Sequence, residues 1–178
     1  SDIHDETGPV WSPDGKTIAF FSNRNDQPDL RPRETDLYLI DLNSQEITKV
    51  DTPIGPKGNA AFSPDGKKIA YLGHEDPNAG YKNDELWVVE LDKPGSAHSL
   101  TQSFDFNVGG GVINDVGAFI NTSPVWSTDG NKVYFKVGRH GRSSLHAIDI
   151  NGNSHQKVLE FDGVVSGFSM AGKRDQIA

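Results

Sequence analysis

The residues with the clearest potential for chemistry are a serine in a glycine-led motif, six histidines and two pairs of acids. The serine is Ser169, in the sequence Gly167-Phe168-Ser169-Met170-Ala171, which approaches the G-x-S-x-G nucleophile elbow of α/β-hydrolases. An elbow lies on a strand-to-helix turn, and the Asp and His of the triad follow it in sequence. Residues 172–178 contain no histidine. We therefore predict that this chain carries no catalytic residue.

The histidines and acid pairs do not form a metal-binding or glycosidase pattern. The histidines stand at positions 4, 74, 98, 140, 146 and 155, without the H-E-x-x-H spacing of a zinc site. His146 has apolar neighbours on a predicted strand, which favours a packed and hydrogen-bonded side chain. The acid pairs at 75–76 and 84–85 flank strands, and the segment they enclose lacks the ligand spacing of a calcium loop. The sequence predicts neither a metal nor a cofactor.

The composition limits the possible partners. A net charge of -8 without a basic stripe argues against nucleic-acid binding, which depends on neutralising phosphates. No stretch approaches the roughly 20 apolar residues of a membrane-spanning helix. The absence of cysteine fits a reducing cytoplasm. We expect a cytoplasmic protein that binds neither nucleic acid nor membrane.

A sequence repeat organises the elements that would have to position any site. Its copies read VWSPDGKTIAF at 10–20, AFSPDGKKIAY at 61–71 and VWSTDGNKVYF at 125–135. In each copy an aromatic anchor is followed seven positions later by Ile or Val, and a weaker fourth copy keeps this offset from Met170 to Ile177. The anchors are 51, 64 and 44 residues apart. Such spacing is typical of a repeat architecture.

Each repeat predicts a small antiparallel sheet. Ser-Pro-Asp-Gly is a turn sequence, and strand-like segments follow it at the intervals of a four-stranded propeller blade. Strands such as 86–89 (LWVV) are apolar at both parities, so both faces of each sheet should be covered by neighbouring sheets. The fold class predicted is all-β, a β-propeller fragment of about three four-stranded antiparallel blades plus the start of a fourth.

The predicted organisation treats 1–178 as one partial propeller. The blades lie at about 9–52, 59–102 and 123–162, the next begins within 164–178, and a bridging insertion spans 103–122. A closed propeller has 4–8 blades. We therefore expect a piece of a longer ring, or a fragment that self-associates because its end blades expose apolar faces.

The repeats resemble those of TolB-like and WD40-like propellers. The bridging segment from Phe104 to Asp115 resembles more narrowly the inter-blade segment of acylaminoacyl-peptidase-type members of the prolyl oligopeptidase family, the S9 serine peptidases. Phe106 departs from the family pattern, which often has a basic residue after the aspartate. The resemblance implies a non-catalytic propeller that caps a C-terminal α/β-hydrolase domain of the same protein. In that family the propeller filters peptide substrates by size.

Three polar residues of the insertion are candidate site residues under this interpretation: Asp105, Asn107 and Asp115. They would line the substrate cavity next to the hydrolase domain, or a blade junction. Equally, they could satisfy backbone amides in a buried loop. Two other functions remain open. One is a TolB-like interaction propeller with no attached enzyme, and a weaker one is a polysaccharide-processing propeller enzyme, which would need clustered His and acidic ligands.

Overall fold

The computed structural model describes residues 4–110, 122–171 and 177. Its regular elements in these residues are strands, apart from one turn of 3-10 helix at Pro28–Leu30. The all-β prediction is therefore confirmed. No helix in the described residues has the length and apolar character needed to cross a membrane.

The strands form three antiparallel sheets in chain order, which we call blades 1, 2 and 3. Blade 1 contains β1 (Glu6–Trp11), β2 (Thr17–Ser22), β3 (Asp36–Asp41) and β4 (Ile47–Lys49). Blade 2 contains β5 (Lys57–Phe62), β6 (Lys68–Gly73), β7 (Glu85–Glu90) and β8 (His98–Ser99). Blade 3 contains β10 (Val125–Trp126), β11 (Lys132–Arg139), β12 (Arg142–Asp149) and β13 (His155–Leu159), and β9 (Asn107–Val108) joins it beside β11.

The repeated turn is held by its serine and aspartate. In blade 1 the Ser12 hydroxyl donates to Asp14 Oδ1 at 2.6 Å and accepts the backbone N–H of Thr17 at 3.0 Å. The third copy has Thr128 where the others have proline, yet its Ser127 hydroxyl donates to Asp129 at the same 2.6 Å. This bond, together with the backbone N–H of Asn131, lowers the pKa of Asp129 to about 2. The turn thus depends on the Ser and Asp pair rather than on proline.

The seven-residue offset of the repeat is a cross-strand pair. The aromatic anchor at the end of each first strand lies opposite the Ile or Val that begins the second. The pairs are Trp11 with Ile18, Phe62 with Ile69, and Trp126 with Val133. An isolated antiparallel bridge joins Met170 to Ile177, which confirms that the weak fourth copy makes the same pair.

Each pair of neighbouring blades encloses one apolar core. Along β6, Ile69 and Tyr71 belong to the core shared with blade 1, whereas Ala70 and Leu72 belong to the core shared with blade 3. A smaller third core packs Met170 and Ile177, with other residues, against the far side of blade 3. The prediction that both faces of these apolar strands are covered is confirmed.

Blade 3 differs from the four-stranded prediction. Val108 and Asn107 of the bridging segment pair with Val137 and Gly138 of β11, so that this sheet has five strands. The β11–β12 hairpin has eight residues in each strand. It closes at His140 and Gly141, with φ of 50° and 75°, the left-handed pair that a tight two-residue hairpin turn requires.

A bulge kinks the inner strands of blades 1 and 2 at equivalent positions. Gly8 and Asn59, each three residues before the aromatic anchor, have φ of 58° and 55°, and the strand register shifts at both. Asparagine tolerates this left-handed conformation far better than most residues with a side chain. The bulge is therefore a second repeated feature of the blade.

We predict that Asn59→Ala lowers the free energy of unfolding of the intact protein by about 1 kcal/mol. The left-handed backbone conformation is unfavourable for any residue with a Cβ, and alanine lacks the polar side chain by which asparagine offsets this cost. Asn59→Gly should cost less, about 0.5 kcal/mol, through backbone entropy alone. Urea denaturation with an unchanged m-value measures both. Asn153→Ala, in an exposed loop, is the matched control. Equal losses for the Ala and Gly variants would contradict this account of the bulge.

Candidate functional site

The start of the bridging segment fastens blade 2 to blade 3. Asn107 Oδ1 accepts the backbone N–H of Asp84 at 2.8 Å, and the N–H of Val108 donates to the carbonyl of Asp84 at 2.9 Å. One residue later, the N–H of Gly109 donates to the carbonyl of Lys136 at 2.9 Å. Val108 itself is 1% exposed in the core between the two blades. Three consecutive residues therefore connect the two sheets.

The predicted site residues have different environments. Asn107 lies at the junction of blades 2 and 3 and uses its side chain to bind a backbone amide. Asp105 is exposed two residues earlier. Asp115 lies outside the described residues. The structure thus brings Asn107 to a blade junction and leaves the Asp105 carboxylate facing solvent.

An aromatic cluster covers this side of blade 3. The Phe104 and Phe106 rings stack with centroids 5.1 Å apart, and Phe106 also lies 5.6 Å from His146 and 6.3 Å from Phe135. Phe104 lies 4.6 Å from His155. Phe106 therefore packs the bridging segment against β11, β12 and β13.

Beneath this cluster a hydrogen-bonded chain runs from a hydroxyl through two imidazoles. Ser144 Oγ lies 2.8 Å from His146 Nε2, and His146 Nδ1 lies 2.7 Å from His155 Nε2. Burial, followed by the charges of His155 and Lys157, lowers the pKa of His146 to about 4. Burial also lowers the pKa of His155. His146 is thus packed and hydrogen-bonded, as predicted.

An open cavity of about 420 Å³ lies beside this chain, at the end of the β11–β12 hairpin. Its lining combines cationic, hydroxyl and aromatic groups, including Phe106, Arg139, Arg142, Ser144, Lys157 and Phe161. Arg142 Nε lies 3.1 Å from Asp162 and Lys157 Nζ lies 2.8 Å from Glu160, and both pairs are exposed. Sequence reasoning did not find this cavity. The alternation of Ser144 and His146 along β12 was the available signal, since such residues share one face of a strand.

Two long loops of blades 1 and 2 meet at the end of the sheets where Asn107 lies. The Arg33 guanidinium packs against Gly80, so that a Cβ at this position would require the flexible arginine side chain to move. Asn23 Nδ2 donates to the Arg31 carbonyl at 2.7 Å and helps to shape the first loop. At the tips, Leu30 and Tyr81 are exposed. In the residues that the structure describes, no group of three His, Cys, Asp or Glu side chains is placed to hold a metal ion.

Comparison with curated proteins finds fungal peptidases, although no family model matches the chain. The chain is 26% identical over 180 residues to dipeptidyl-peptidase 5 of Arthroderma otae. It is 27% identical over 181 residues to a probable dipeptidyl-peptidase 5 of Arthroderma benhamiae. Each match covers 93% of this chain and 23% of the relative. The chain therefore spans less than a quarter of the length of these relatives.

Comparison with solved structures finds β-propellers. TolB from Acinetobacter baumannii superposes with a TM-score of 0.70 at 21% identity, covering 100% of this chain and 38% of TolB. An acylaminoacyl peptidase in complex with Z-Gly-Gly-Phe-chloromethyl ketone superposes with a TM-score of 0.62 at 18% identity, covering 93% of this chain and 22% of that enzyme. The predicted resemblance to S9-type peptidase and TolB-like propellers is confirmed.

The histidine pair predicts a loss of stability in mild acid. Because folding lowers the pKa of His146 from about 6.5 to about 4, the folded state binds fewer protons than the unfolded state between these values. Its contribution to stability is complete above pH 6.5 and is lost as the pH falls towards 4. After allowance for solvent screening, the expected loss is on the order of 1 kcal/mol. Urea midpoints measured from pH 7.5 to pH 4 test this.

The matched variants are His146→Tyr and His98→Gln. Blade 1 has Tyr38 at the position equivalent to His146, so the tyrosine variant should fold and lose this part of the pH dependence. His98 is exposed, so its replacement should retain the wild-type profile. If both variants lose stability between pH 7.5 and pH 4 to the same extent, the histidine pair does not cause the acid destabilisation.

Proposed function

We propose that this chain is a non-catalytic part of the propeller of a serine peptidase, and that it limits which peptides reach an α/β-hydrolase domain of the same protein. The similarity to dipeptidyl-peptidase 5 carries the proposal, because it runs over 93% of this chain. It covers only 23% of that relative, which leaves most of the relative's length for other domains. The peptides and the hydrolase domain are thus the proposed partners.

A propeller can limit access only if its blades do not separate, and the junctions support this. Between blades 2 and 3, the Trp126 indole N–H donates to the Ala61 carbonyl at 2.9 Å. Between blades 1 and 2, Lys57 Nζ donates to the carbonyls of Thr35 at 2.8 Å and of Gly55 at 3.0 Å. Burial lowers the pKa of this lysine to about 8. Polar bonds of this kind supplement the apolar cores at both junctions.

Asn107 and Asp105 take different parts in the proposed function. Asn107 keeps blades 2 and 3 together, because removing its amide would leave the N–H of Asp84 without this acceptor. The exposed carboxylate of Asp105 would attract cationic peptides. Asp115 belongs to the same segment, and we propose that it lines the peptide entrance to the hydrolase domain together with Asp105.

A TolB-like binding platform without an attached enzyme is the second candidate. It is supported by the TM-score of 0.70 with TolB from Acinetobacter baumannii. At 21% identity that likeness concerns the fold alone. The curated sequence relatives are peptidases, so we favour the peptidase function.

The test is a substrate-length series on the intact protein with Asn107→Ala. Loss of the amide should loosen the junction by about 1 kcal/mol, because a partly buried backbone donor loses its acceptor. The ratio of kcat/KM for a peptide of about 30 residues to that for a dipeptidyl substrate should rise by about threefold, equivalent to about 0.7 kcal/mol of barrier.

Asn43→Ala, in the exposed β3–β4 turn, is the matched control and should leave the ratio unchanged. If Asn107→Ala lowers kcat/KM equally for both substrates, the junction stabilises the enzyme without selecting by size, and the gating proposal fails. If the intact protein cleaves no peptide at all, the peptidase function itself fails and the binding platform replaces it.

A further inference from the structure

We propose that the cavity at the end of the β11–β12 hairpin binds small carboxylates that carry an aromatic or branched apolar group. The cavity is lined by residues at the end of this hairpin, by β13 and the loop that follows it, and by Phe106 of the bridging segment. Its volume of about 420 Å³ lies within the usual range for small-molecule pockets. This inference goes beyond the gating function and does not depend on it.

The charge of the lining selects for anions. Arg139, Arg142 and Lys157 contribute three cations and Glu160 one carboxylate, on a chain whose net charge is -8. Among the described residues, Arg139 forms no ion pair, so its planar guanidinium is available for a two-point bond to a carboxylate.

The existing ion pairs in the cavity do not prevent this binding. Arg142 pairs with Asp162, and Lys157 pairs with Glu160. The side chains of all four residues are at least 45% exposed. Exposed pairs of this kind contribute little to stability, so an incoming carboxylate can exchange with the acid of either pair at small cost.

The apolar side of the cavity selects what the carboxylate is attached to. Phe106 and Val137 form part of the wall, and Phe161 adds a ring that is 47% exposed. A ligand ring that covers Phe161 would remove apolar area from water and stack on it, which favours binding.

Neutral groups complete the lining. Ser144 and His146 face the cavity and are hydrogen-bonded to each other. Because the pKa of His146 is about 4, its ring is uncharged near pH 7. Selection for anions at that pH therefore depends on the arginines and the lysine. This mixture of a cationic edge and an aromatic wall suits an aromatic acid better than a fully hydrated anion.

The experiment is calorimetric titration of the intact protein at pH 7.5 and low salt with three probes: N-acetylphenylalanine, its amide, and inorganic phosphate. The free acid should bind about tenfold more tightly than either of the others. Arg139→Gln should weaken binding of the acid about tenfold, which corresponds to about 1.4 kcal/mol. Lys93→Gln removes an exposed cation from the β7–β8 turn and should change nothing.

A second variant separates the two halves of the site. Phe161→Ala removes the exposed ring without changing a charge. It should therefore weaken the binding of N-acetylphenylalanine and leave the binding of phosphate unchanged. Phosphate that binds as tightly as the acid would reduce the site to a general anion site and overturn the proposal. Binding of the acid that survives both Arg139→Gln and Phe161→Ala, or absence of binding, would overturn it as well. None of these outcomes depends on peptide cleavage, so the gating function is tested separately.

Discussion

The described fold depends on the burial of apolar side chains on both faces of its central blade. The central strand β6 places alternate residues in two different cores, so blade 2 needs a neighbour on each side. A single four-stranded sheet with apolar residues at both parities would expose one set to water. Stacking therefore requires apolar residues at both parities of the central strands, and the turns and junction bonds keep each sheet in its place.

The local features of the fold could be predicted from the sequence. The seven-residue offset predicted the pairing from Trp11–Ile18 to Met170–Ile177, because a turn and the two residues that flank it are close in the chain. Alternation of apolar residues predicted that both faces are covered. The bulge at Gly8 and Asn59 left a weak sequence signal, because both residues tolerate positive φ and both lie three positions before the aromatic anchor. Glycine and asparagine are also common in ordinary loops, so this signal alone did not predict a bulge.

The features that sequence reasoning missed arise from contacts between distant segments. Strand β9 exists because Val108 finds a partner in β11, nearly thirty residues later in the chain. His146 meets His155 because the register between β12 and β13 places Ile148 opposite His155, which makes His155 the diagonal neighbour of His146. Neither a two-residue strand nor a cross-strand register leaves a periodic pattern in the sequence. Asn107 was recognised as a candidate because it lies in an unusual insertion, although nothing local indicated that it binds Asp84.

The aromatic cross-strand pairs show how one repeated position acquires different properties. Phe20 and Tyr38, Tyr71 and Trp87, and Phe135 and His146 are equivalent pairs, with ring centroids 5.7, 6.2 and 5.8 Å apart. What differs is the cover. Blade 1 packs over the pair in blade 2, Arg24 lies 5.0 Å from the Tyr38 ring, and Phe106 covers His146. Because Phe106 covers its pair only in part, blade 3 keeps a cavity where blade 2 has a core. A position that the repeat uses for packing thus becomes the wall of a proposed binding site where an inserted segment, rather than the neighbouring blade, packs over it.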